Sequence, residues 1–118
     1  MRAMILKSQK RPLTLSDIPM PDITSDEVLI KVEACGICRT DLHIIDKELK
    51  NPKLPLVMGH QIVGKIVKIG KGVREFRMGD RVGVPWLGFS CTRCKFCKTD
   101  RENLCDNAKY TGYDIDGG

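Results

Sequence analysis

Four cysteines fall within fifteen residues of this chain, at Cys91, Cys94, Cys97 and Cys105. Their spacing, C-x2-C-x2-C-x7-C, constrains the fold more than any other feature. Cysteines at i and i+3 can place both sulfurs on one metal through a tight turn, and the longer gap brings the chain back to close a tetrahedron. Four thiolates saturate a zinc ion and leave no open coordination position, which makes a structural site. A [4Fe–4S] cluster is the rival. The bacterial iron–sulfur run spaces its last cysteine by three and follows it with proline; here the gap is seven and Asp106 follows. Unligated cysteines in a stretch so rich in Lys, Arg and Asp would find little apolar surface to order them. The expectation is a zinc-stapled lobe over about residues 89–106, with the chemistry elsewhere.

At 118 residues the chain has the length of one domain. Lys and Arg number 20 against 15 Asp and Glu, a formal charge of +5. The signs alternate with no long run of either, so the charges read as a solvated surface, and a nucleic-acid partner is not expected. The N-terminus MRAMILKSQK has an apolar stretch of only about four residues. That is too short for the core of a signal peptide or for a membrane span. The expected compartment is the reducing cytoplasm, where clustered cysteines bind metal or do redox chemistry.

Strands are expected at Arg2–Lys7, Val28–Ala34, Gln61–Ile69 and Arg81–Val84. Gly64 is a candidate bulge in the third of these. Ile18-Pro19-Met20-Pro21 cannot form a central strand, because two prolines remove ladder donors. Thr40–Asp46 reads as a helix of one or two turns, followed by a loop marked by Pro52 and Pro55. Turns are expected at Gly70-Lys71-Gly72 and Gly79-Asp80. Short strands, Gly and Pro turns and one modest helix point to a small β-barrel or sandwich.

Cys35-Gly36-Ile37-Cys38 admits three readings. It can be a dithiol redox pair, or Cys35 can be a small buried hydrophobe at the end of its strand. In the third, Cys38 is a metal ligand paired with a distant histidine. The chain has only His43 and His60. A lone histidine is more often structural, but His60 lies between Gly59 and a strand, where its ring can project into a cleft.

In chain order stand Ala34-Cys35-Gly36-Ile37-Cys38-Arg39-Thr40-Asp41-Leu42-His43, then Gly59-His60, then Gly79-Asp80-Arg81-Val82, then the four cysteines. This ordered set closely resembles the N-terminal catalytic domain of zinc-dependent alcohol dehydrogenases of the medium-chain dehydrogenase/reductase superfamily. The resemblance implies a mostly-β, GroES-like, partly open barrel with short helices and a four-cysteine zinc lobe. It implies reversible oxidation of a small alcohol to an aldehyde or ketone with NAD or NADP, in an enzyme that is a dimer or tetramer. Cys38 and His60 look like two of three protein ligands of a catalytic zinc. Cys91, Cys94, Cys97 and Cys105 look like the ligands of the structural one.

Other roles come from the same resemblance. Asp41 resembles the carboxylate that fixes the tautomer of His60, a role compatible with capping the helix start. Thr40 and His43 resemble a proton relay, Arg39 a cofactor-pyrophosphate contact and Trp86 an aromatic wall of the substrate pocket. His43, Arg39 and Trp86 each have a plainer reading: an exposed helix histidine, a solvated arginine, a core tryptophan. Gln61 stands where the family usually has glutamate, so one negative charge near the zinc is lost. A third zinc ligand and a nucleotide-binding domain are expected further along a longer chain, of which residues 1–118 would be a piece inactive by itself. Two readings from other classes remain, a non-catalytic zinc-binding interaction module and a dithiol oxidoreductase using Cys35 and Cys38.

Overall fold

Ile62–Ile69 alternates buried and exposed residues through its first six positions, as a strand with one face on the core must. It is the hub of the larger sheet. In the computed structural model, which describes residues 1–118, the strands are β1 (Arg2–Leu6), β2 (Thr14–Asp17) and β3 (Val28–Cys35). The helix α1 (Arg39–Ile45) follows, then β4 (Leu56–Val57), β5 (Ile62–Ile69), β6 (Arg81–Val84), β7 (Leu87–Phe89) and β8 (Lys109–Tyr110). Three sheets form, in the orders β2-β1-β4, β3-β5-β6 and β7-β8. All ladder pairs are antiparallel, and no sheet closes on itself. The fold is mostly β with one short helix and two single-turn 3-10 helices at Cys97–Thr99 and Glu102–Leu104.

The expected strands and helix form within a residue or two of their bounds. The β3–β5 ladder slips twice, and neither slip leaves its extra residue at Gly64; between Leu29 and Ile30 the extra residue is Val67 on β5. Between Val32 and Ala34 the register slips, which puts the extra residue, Glu33, on β3 opposite Gly64 and Val63. Glycine is needed at 64 for a different reason: a Cβ there would lie 2.4 Å from the Lys31 carbonyl oxygen and 2.6 Å from Ile30. Strands β4, β7 and β8 are two or three residues long, too short to carry a periodic signal, and β2, four residues like β6, lacks the Gly turn that precedes β6.

Leu6, Ile44, Leu56 and Met58 form the main apolar cluster, with Leu13, Ile45, Leu49 and Tyr113 packed around it. It joins β1, β4 and the segment after β4 to α1, and so fixes the helix relative to His60. Only 15 of 118 residues are buried, so each core side chain carries a large share of the stability. Leu56→Ala removes a side chain with no exposed surface and is expected to cost about 2–5 kcal/mol. Urea unfolding checks this, and a loss of unfolding free energy below about 1 kcal/mol would contradict it.

Candidate metal centres

The lobe after β7 brings its four cysteine sulfurs within 4.8 Å of one another. Cys94 and Cys97 have sulfurs 3.6 Å apart, and those of Cys91 and Cys97 are 3.9 Å apart. A tetrahedron of sulfurs at the usual zinc distance has edges of about 3.8 Å, so the residues fit a tetrathiolate zinc site. Backbone N–H groups of Cys91 and Cys94 donate to the sulfurs of Cys105 and Cys91, each at 3.4 Å. The Arg93 and Cys94 backbone N–H groups hold the Cys91 thiol down at about 6. Desolvation, and then the neighbouring Cys94, push Cys97 up to about 11. Four sulfurs within 4.8 Å of one another cannot all be thiolates without a cation to offset their mutual repulsion.

The second candidate centre draws on two chain segments. Cys38 precedes α1 in extended conformation (φ −118°, ψ 159°). Its N–H donates to Asp41 Oδ2 at 2.7 Å, so the third residue of the helix closes the first turn. The other carboxylate oxygen, Oδ1, faces His60 Nδ1 at 3.5 Å. Both atoms are buried and neither makes a hydrogen bond; at this long separation each has only the other. With Nδ1 turned toward Asp41, the lone pair of His60 Nε2 is left for another partner. The Thr40 backbone N–H, and then its hydroxyl, hold the Cys38 thiol below the usual range. The Thr40 hydroxyl oxygen is 3.7 Å from the Cys38 sulfur.

His60 is 5% exposed and is delivered by Gly59, whose φ of +101° strongly favours glycine. Trp86 meets the His60 ring edge-on, with centroids 4.9 Å apart and planes at 72°. It stacks on Tyr110 at 4.9 Å, so the tryptophan both packs and walls the histidine. Arg39 is exposed at the start of α1. His43 Nδ1 is hydrogen-bonded to Glu48 Oε2. Gln61 is exposed, its side chain lying over Gly36, where an added Cβ would come within 2.5 Å of Gln61 Oε1. Water therefore screens whatever charge position 61 carries.

Cys35 is half-buried and is not bonded to Cys38, and its sulfur lies against Gly59. Residues missed from sequence include Glu48, Tyr110 and Gly117. Only the closely placed glycines at 112, 117 and 118 hinted at a tight crossing. A Cβ at Gly112 or Gly117 would come within 2.6 or 1.8 Å of the Gly59 carbonyl oxygen.

A mostly-β domain with a four-thiol lobe and, apart from it, a buried histidine facing an aspartate defines a class, small domains organised around a local metal-binding lobe. Within it, this chain belongs to the alcohol dehydrogenase GroES-like domain family, whose model matches residues 24–118. It is 44% identical over 120 residues to an alcohol dehydrogenase of Geobacillus stearothermophilus, covering 100% of this chain and 35% of that protein. It is 38% identical over 125 residues to an NAD-dependent alcohol dehydrogenase of Sulfolobus acidocaldarius, covering 100% of this chain and 36% of that one. Among solved structures, CAD from Helicobacter pylori complexed with NADP(H) superposes with a TM-score of 0.90 at 32% identity, covering 99% of this chain and 36% of the other. The chain thus spans about a third of the length of these relatives. No helix is long and apolar enough to cross a membrane.

Proposed function

We propose that this chain is the metal-binding catalytic-domain portion of a zinc-dependent, cytoplasmic alcohol dehydrogenase that interconverts alcohols and aldehydes or ketones with NAD or NADP. The observation that carries the reading is the Asp41–His60 pair. Two polar atoms are held out of water with no partner but each other, and each costs about 1–3 kcal/mol if left unmet. A metal on the opposite ring nitrogen accounts for that expense, because the carboxylate then sets the tautomer and orientation of the ligand.

Cys38 and His60 would hold the catalytic zinc, and Cys91, Cys94, Cys97 and Cys105 the structural one. A zinc ion held there would supply Lewis-acid polarisation of the substrate oxygen. Thr40, beside Cys38, stands where its hydroxyl can take the alcohol proton and pass its own onward. His43, three residues along α1, lies on the same face and receives it. Trp86 bounds the substrate on one side of His60. Arg39, with no acid partner in the fold, is available to a cofactor phosphate. The NADP(H) complex and the NAD-dependent relative support a nicotinamide cofactor for the whole enzyme. The activity is that of the longer protein, since among these 118 residues no third ligand joins Cys38 and His60.

Metal analysis tests the reading: colourless protein with close to two zincs supports it, and brown, iron-containing protein overturns it. A cobalt titration refines it. Asp41→Asn is expected to weaken the second, weaker site by about 10- to 100-fold while the lobe site is unchanged. Equal affinity at both sites in wild type and variant would remove Asp41 from the assignment.

A further inference from the structure

His43 is held by more than its helix. After α1 the chain reverses through Lys47, a non-glycine residue at φ +69°. The Glu48 and Leu49 N–H groups both donate to the His43 carbonyl, at 3.0 and 3.1 Å. The reversal is clamped from outside. Gln9 Nε2 donates to the carbonyls of Ile44 (2.7 Å) and Leu49 (2.8 Å), and the Tyr113 hydroxyl donates to the Lys50 carbonyl. A bend tied by five hydrogen bonds to four carbonyls returns Glu48 to the imidazole five residues before it, where its carboxylate meets Nδ1.

An ionised carboxylate can only accept, so Nδ1 must be the donor. We propose that Glu48 is a positioning residue that holds His43 as the Nδ1–H tautomer, with Nε2 kept as the proton acceptor. This rests on the reading of His43 as the relay member after Thr40. A proton reaching Nε2 makes the ring an imidazolium whose positive charge lies against the Glu48 carboxylate. Its departure to water restores the neutral Nδ1–H ring. Without Glu48 the neutral ring is free to carry its proton on Nε2, which then has no lone pair to offer.

The tautomer is read directly from two-bond nitrogen–proton correlations of the labelled 118-residue protein, at a pH above the ordinary imidazole range. With two histidines, His60 serves as internal reference. Wild type is expected to show His43 mainly as Nδ1–H. In Glu48→Ala the ratio of Nδ1–H to Nε2–H should fall about 5-fold, the scale of a lost exposed charge-assisted hydrogen bond. Glu48→Gln, which keeps an acceptor oxygen, should recover part of it, and His60 should not move in either. A dominant Nε2–H form in wild type, or an unmoved ratio in Glu48→Ala, overturns the proposal. If the ratio moves but the Cys38–His60 centre takes no cobalt, the relay reading falls and with it the catalytic meaning of the tautomer.

Discussion

Cys97→Ser is expected to release one zinc per chain and to open residues 89–106 to protease, with the rest of the domain intact. The size of the effect follows from what the lobe lacks. Cys105 is the only buried residue between 89 and 106, so no apolar core stands behind the four sulfurs. Two non-glycine residues in the lobe, Thr92 and Asp100, hold left-handed φ values of 56° and 54°, a conformation costly to keep without closure. Structural zinc contributes about 10–16 kcal/mol to small zinc-finger peptides at neutral pH. Losing one of four ligands from a lobe with no apolar core behind it should therefore empty the site. Limited proteolysis followed by mass mapping, with zinc quantified in parallel, reads both effects. Cys35→Ser is the control and should keep both metals. A Cys97→Ser protein that loses its zinc and still resists cleavage through the lobe would show that something other than metal orders it.

Gly59→Ala should damage the other centre and leave the lobe alone. A Cβ at 59 would lie 2.5 Å from the Cys35 sulfur and 2.5 Å from the Gly118 carbonyl oxygen, and alanine at φ +101° is strained even in open space. The sulfur can rotate aside, whereas the backbone oxygen moves only with its segment. Strain and overpacking together are expected to cost about 2–6 kcal/mol, which in a domain of this size lowers Tm by about 10 °C or more. Because His60 follows directly, cobalt binding at Cys38–His60 should be lost while the lobe still fills. Gly79→Ala separates the two causes: Gly79 has φ +87° with nothing within 4 Å of the added Cβ, so it carries only the backbone term. If the two alanine variants melt together and both keep two cobalt sites, the close crossing at Gly59 does not position His60.

Which of these features a reader of the sequence can find depends on how far apart their parts lie in the chain. The lobe is local: four ligands within fifteen residues prescribe the metal geometry with no reference to the rest of the fold, and their sulfurs do converge. The strands β1, β3, β5 and β6 and the helix α1 are legible because apolar periodicity and Gly/Pro turns act over neighbouring residues. The hydrogen bond from Cys38 N–H to Asp41 is local too. The short strands β2, β4, β7 and β8 exist only because partners distant in sequence complete their ladders. The bulges fall on Glu33 and Val67 and not Gly64 because register is settled by two strands together. The facing of Asp41 and His60 joins residues 19 apart, and Trp86 reaches the same ring from a third segment. The sequence by itself determined which residue types can bind metal and the closed geometry of the lobe. Tertiary structure alone decided that Asp41, His60 and Trp86 meet, that Gly112 and Gly117 both pack against Gly59, and that a clamped turn returns Glu48 to His43. Those contacts follow from packing around Leu6, Ile44, Leu56 and Met58, which places separate segments at fixed distances that no local spacing encodes.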